Sequence, residues 1–272
     1  MTPTIFLDLD GTLLDSEWLS QASYQVGARA ALGRNLTASE AQYLLGKPFR
    51  ALGDLFSAEE AAAIIRAMFA FYEEEHHRIG PYPGVAVALA ELRRAGHRLG
   101  LVTTKLRRYA LAELGQTGLL EFFSAAVCQE DCPEVKPSPA PLLMAARVLD
   151  VPPASCWYVG DQPTDLVAAH RAGMVAVAAL WGEGHQRRLA GAAPDRWAPE
   201  PRDLLALAAR SPELQAQRRQ QGAGIFGAHD PADIGAAREG DGHPTSGVVV
   251  HDGKRAALAG DKRAHGEDPR EP

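Results

Sequence analysis

From Gly84 to Ala179, helix-like and strand-like segments follow one another without a break, and no other feature restricts the fold as much. Apolar periodicity predicts helices from Val85 to Ala95, Leu106 to Leu114, Pro139 to Leu149 and Pro163 to Ala172. Gly96, Gly115 and Gly173 stand where three of them should stop. Short apolar runs between them predict strands at Arg98 to Thr103, Ser124 to Cys128, Cys156 to Val159 and Met174 to Ala179. Such alternation implies an α/β protein, a doubly wound parallel sheet lying between helices on both faces. Right-handed crossovers leave few topologies open.

One more strand opens the chain, where Thr4-Ile5-Phe6-Leu7 runs into Asp8-Leu9-Asp10-Gly11-Thr12-Leu13-Leu14-Asp15. Residues two apart on a strand share a face, so Asp8 and Asp10 begin on one side, and Gly11 permits a tight turn after them. Two acids at the end of a buried strand repel each other unless a cation or a shared proton relieves them. Open parallel sheets bind ligands beyond the C-terminal ends of their strands. Three further sets of polar residues are expected there: Thr103-Thr104-Lys105, the loop lysine Lys136, and Asp161 with Asp165. Taken singly, Thr103 and Asp161 would serve as helix caps and Lys136 as a solvated lysine. Their coincidence at one end of one sheet predicts a site.

Between the first strand and the alternating region, residues 16–79 carry helical patterns and no strand, which predicts a small helical bundle set into the larger domain. Thr37 and Ser39 are candidate caps for a short helix, and Ser57 with Glu60 forms a capping box for a long one. The catalytic core is then expected from residues 1–15 and 80–210, with a last helix from Pro201 to Arg210. Residues 211–272, rich in Gly, Asp, Arg and His, are expected to be a disordered tail. The net charge of −6 argues against a general nucleic-acid binder. No run approaches the roughly 18 apolar residues of a membrane span. Cys128, Cys132 and Cys156 lack metal-knuckle spacing and are expected to be reduced, buried thiols of a cytoplasmic protein.

In their order and spacing, Asp8-Leu9-Asp10-Gly11-Thr12-Leu13-Leu14-Asp15, Val102-Thr103, Lys136-Pro137 and Gly160-Asp161-Gln162-Pro163-Thr164-Asp165 resemble the four motifs of the haloacid dehalogenase-like hydrolase superfamily. The resemblance covers about Thr4 to Arg210, and the helical insert is similar to the cap of phosphoglycolate phosphatase-like members. It implies a strand order of 3-2-1-4-5, with the first and fourth strands adjacent at the switch point.

The same resemblance implies a phosphatase of small phosphomonoesters, phosphoglycolate- or sugar-phosphate-like, working through an aspartyl-phosphate. Asp8 would be the nucleophile and Asp10 the proton carrier. Mg²⁺ would be held by Asp8, the Asp10 carbonyl, Asp161 and Asp165. Thr103, Thr104, Lys136 and the backbone at Leu9 and Gly11 would receive the phosphoryl group, while Lys47 or Arg50 of the cap would meet the rest of the substrate. The acid at Asp10 favours phosphoryl transfer over dehalogenation. Thr104 stands where many relatives have Asn, and Gln162 where they often have Ser or Thr. Other readings are a phosphomutase of the β-phosphoglucomutase type and a non-catalytic phosphoryl-binding protein. The expected partner is a small phosphorylated metabolite, with neither nucleic acid nor membrane, in a monomer or homodimer.

Overall fold

The computed structural model describes residues 2–44 and 49–209. The expected tail lies outside them, and so does Lys47. In chain order the described elements are β1 (Thr4–Leu7), β2 (Leu14–Asp15), α1 (Glu17–Leu32), α2 (Ala38–Leu44), α3 (Ala58–Glu75), β3 (Gly80–Pro81), α4 (Val85–Arg94) and β4 (Leu99–Val102). There follow α5 (Arg107–Gln116), β5 (Ala125–Val127), α6 (Ala140–Val148), β6 (Cys156–Gly160), α7 (Pro163–Arg171), β7 (Val175–Ala179), α8 (Gln186–Ala190), β8 (Arg196–Ala198) and α9 (Asp203–Ala209).

Six strands form one sheet in the order β5-β4-β1-β6-β7-β8, and every pair is parallel. The first five places reproduce the expected 3-2-1-4-5 order. The sequence reading ended the sheet there and missed β8. That strand is a three-residue edge segment, Arg196-Trp197-Ala198, too short to show a two-residue period. The register places Leu7 beside Leu101 on one side and Val159 on the other. Asp8 therefore leaves the sheet at its centre, between the ends of β4 and β6.

Alternation along β1 divides the core. Ile5 and Leu7 pack with α4, α5 and α9 through Leu89, Leu114 and Leu204, whereas Phe6 packs on the other face with α6 and α7 through Leu142 and Leu166. Each of β1, β4, β6 and β7 is buried along its whole length, as a sheet covered on both faces requires.

The insertion has its own small core of Ala28, Leu36, Leu44, Leu52, Ile64 and Met68. Ser57 begins α3 with the expected capping box, its N–H and hydroxyl both directed at Glu60. At α2 the cap is Thr37, whose Oγ1 accepts from the Glu40 N–H at 3.2 Å. The chain leaves and re-enters the larger domain through an antiparallel pairing of β2 with β3, Leu14 opposite Pro81 and Asp15 opposite Gly80. Two residues per strand give no sequence period, so this ribbon was also unread.

Candidate active site

Four segments bring acids and lysines to the C-terminal end of the sheet. Asp8 follows β1 directly, its N–H donating to the Val159 carbonyl at 3.0 Å. Asp161 follows β6, and Asp165 sits in the first turn of α7, where its Oδ2 accepts from the Gln162 N–H at 2.9 Å. Carboxylate oxygens of Asp8, Asp161 and Asp165 all lie within 4.8 Å of one another, and all three residues are buried.

Lys136 lies between two of these acids. Its Nζ is 2.9 Å from Asp8 Oδ1 and 2.7 Å from Asp165 Oδ1, and it donates to the Tyr158 hydroxyl at 2.9 Å. Tyr158 in turn donates to the Val102 carbonyl at 2.7 Å, so the lysine is tied to β4 and β6 together. The Asp161 carboxylate meets no cation among the described residues. It accepts from Thr12 Oγ1 at 2.9 Å and from Gln162 Nε2 at 2.5 Å.

Burial pushes the Asp8 carboxyl up to about 7, against the pull of Lys136 and with help from Asp165. Burial also raises Asp161 well above the carboxylate range, and the neighbouring Asp165 and Asp8 add to it. Burial pulls the Lys136 ammonium down, but Asp165 and Asp8 outweigh it and hold it well above its ordinary value. Two of the three carboxylates share one ammonium and the third has none among the described residues, which leaves two formal negative charges in a buried cluster of hard oxygen donors. That donor set and that residual charge fit a divalent cation such as Mg²⁺.

Asp10 faces a different set of partners. Its Oδ1 accepts from Ser16 Oγ at 2.5 Å and from Lys105 Nζ at 2.6 Å. Lys105 Nζ also lies 2.6 Å from Glu113 Oε2 on α5, and Glu113 Oε1 accepts from the Tyr72 hydroxyl of α3 at 2.6 Å. Burial raises the Glu113 carboxyl, and Lys105 opposes the shift.

The turn after Asp10 depends on Gly11, whose φ is +76°. A Cβ there would stand 2.7 Å from Asp161 Oδ2, so the glycine provides both the left-handed turn and the room for that carboxylate. Its N–H donates to the Leu14 carbonyl at 3.0 Å and its carbonyl accepts from the Glu183 N–H at 3.3 Å. Leu9 is wholly buried, so it can offer a ligand only backbone.

Thr103 is buried at the end of β4, its Oγ1 accepting from the Lys105 N–H at 3.1 Å, whereas Thr104 is exposed. The structure thus brings Asp8 and Asp165 into contact with Lys136, sets Asp161 within 4.8 Å of both acids, and places Asp10 beside Lys105. Arg50 is exposed in a short 3₁₀ turn, with no ion pair among the described residues. Lys105 is expected from sequence only as the end of a polar run and Thr12 only as part of a motif, neither with a role, and the sequence does not single out Glu113, Ser16 or Tyr158. A signal existed for Glu113, which falls in phase with buried Tyr109, Ala110 and Leu114 of α5.

Comparison with known proteins agrees with this fold. Residues 5–179 match the family of haloacid dehalogenase-like hydrolases. The chain is 37% identical over 188 residues to a phosphoglycolate phosphatase of Xylella fastidiosa, which spans 66% of this chain and 80% of that protein. It is 32% identical over 202 residues to the pyrophosphatase PpaX of Bacillus velezensis, spanning 74% and 94%. Among solved structures, CbbY from Rhodobacter sphaeroides in complex with phosphate is similar with a TM-score of 0.65 at 27% identity, over 75% of this chain and 96% of that one.

Proposed function

The chain belongs to the haloacid dehalogenase-like hydrolases, and we propose that within them it is a Mg²⁺-dependent phosphatase of small phosphomonoesters, phosphoglycolate- or sugar-phosphate-like. The observation that carries this reading is Asp8 at the centre of the sheet, in contact with Lys136 and within reach of Asp161 and Asp165. The names of the relatives point the same way.

Asp8 attacks phosphorus, forming a carboxylate–phosphorus bond as the bond to the ester oxygen breaks, and Asp10 gives that oxygen a proton. Water then attacks the aspartyl-phosphate, Asp10 takes the proton back, and phosphate and free Asp8 are released. Lys136 holds Asp8 in line and offers positive charge to the phosphoryl oxygens, beside the Thr103 hydroxyl. Asp8, Asp161, Asp165 and the Asp10 carbonyl would hold Mg²⁺, which supplies charge neutralisation for the acids and the phosphoryl group. The helical insertion, residues 16–79, acts as the cap that shelters the site from water, with Lys47 or Arg50 reading the rest of the substrate.

A panel of phosphomonoesters and pyrophosphate, assayed with Mg²⁺ and with EDTA, tests the proposal. Free phosphate released with Mg²⁺, and abolished by Asp8→Asn by at least about 1,000-fold, is the expected result. No release from any member, or an unchanged rate in Asp8→Asn, would sink it. A phosphoryl group that reappears on an isomerised sugar, without free phosphate, would select a mutase instead.

A further inference from the structure

We propose that Lys105 is a positioning residue for Asp10, held by Glu113 of α5 and, from the helical insertion, by Tyr72 of α3. The proposal rests on the phosphatase reading, in which Asp10 carries the proton. Lys105 Nζ lies 2.6 Å from Asp10 Oδ1 and 2.6 Å from Glu113 Oε2. Glu113 is 0% exposed, and its other oxygen takes the Tyr72 hydroxyl. The lysine also lies 5.3 Å over the Tyr72 ring.

A buried carboxylate is costly unless it is paired, and nothing in the packing of α5 asks for one. The neighbours in its phase, Ala110 and Leu114, simply fill the core. Glu113 has a use once Lys105 is considered. A lysine has a long, rotatable stem, and a lone lysine on a loop fixes little. Clamped between Glu113 and the Thr103 hydroxyl, which receives its own N–H, it presents one ammonium geometry to Asp10. Lys105 and Ser16 both hold Oδ1 of Asp10, which leaves Oδ2 as the oxygen that carries the proton. Because Tyr72 belongs to the insertion, the seating of α3 on α5 reaches the proton carrier through two contacts.

The test compares two esters on the full-length protein with Mg²⁺. One is the best alkyl phosphate found in the panel, whose leaving oxygen needs a proton; the other is p-nitrophenyl phosphate, whose leaving group departs as a stable anion. The reading is kcat/KM, which covers steps through aspartyl-phosphate formation and omits the breakdown common to both. Lys105→Met should lower kcat/KM for the alkyl ester about 100-fold, and for the nitrophenyl ester by no more than about a tenth of that factor. Glu113→Gln should give the same preference at about 10-fold, and Tyr72→Phe at about 3-fold, as contacts progressively further from Asp10. Should Lys105→Met not fold, the other two variants, which keep size and shape, carry the same comparison. Equal losses on both esters, or no loss, would overturn the positioning role. A wild-type protein inactive on both esters would instead overturn the phosphatase reading beneath it.

Discussion

Two lysines hold this site together, and they do so differently. Lys136 is buried in the sheet domain, with Asp8 from the end of β1, Tyr158 from within β6 and Asp165 from the first turn of α7. Lys105 stands at the boundary between the larger domain and the helical insertion, with Asp10 from the first loop, Glu113 from α5 and Tyr72 behind it from α3. Each ammonium lies between two carboxylates, yet one set belongs wholly to the sheet domain while the other needs both parts of the chain. The same local chemistry can therefore hold an acid wholly within one domain, or tie an acid of the first loop to a helix of the insertion.

Substitution of the first lysine should break the contrast most severely. Lys136→Met leaves the buried acids without their ammonium, and without metal it should cost about 3–5 kcal/mol of stability in urea unfolding. With Mg²⁺ it should lower the rate on alkyl and nitrophenyl esters alike, because in the proposed mechanism it acts on the phosphoryl group and its nucleophile. Selectivity for leaving group in this variant would erase the distinction from Lys105.

Gly11→Ala acts on the loop that joins the two lysine sets. The left-handed φ and the blocked approach of Asp161 should together cost about 1–2 kcal/mol, read from the urea midpoint. An unchanged midpoint would mean that the loop and Asp161 can part without penalty.

A pH dependence is expected as well. Burial raises Asp8 from its ordinary value of 3.8 to about 7, so the folded protein binds its proton more tightly than the unfolded chain does. That contribution is fully present below the ordinary value and is lost as the pH rises through about 7. Without metal, the wild type should therefore lose thermal stability relative to Asp8→Asn between about pH 4 and about pH 7. The loss should shrink when Mg²⁺ is added. A flat difference across that range would show that Asp8 is ionised throughout.

The two lysine sets also differ in how legible they were. Asp8, Asp10, Asp161 and Lys136 follow strand ends or a short loop, where an apolar run stops at a charged residue and the change itself is the signal. Glu113 gives no such signal, because glutamate is among the commonest residues on a solvated helix face. Tyr72 fits the apolar period of α3 and so reads as core, and only its hydroxyl, directed at another element, reveals the link. Tyr158 was hidden for the same reason inside a fully buried strand. The sheet order was accessible through the family resemblance, whereas β8 and the β2–β3 ribbon were too short for any period to show. Arg50 is suggested by the likeness of its loop, and in the structure its side chain is exposed, with no ion pair among the described residues.

The loop after Asp10 is closed from far along the chain. Trp181 Nε1 donates to the Thr12 carbonyl at 2.7 Å across 169 residues, and Gly182 lies so close to the Gly11 carbonyl that a side chain there would collide with it. A loop among the first segments to leave a ribosome thus acquires its closing neighbours late. A growing chain displays Asp8 and Asp10 early, but it holds no finished centre until the segment around Trp181 has been made.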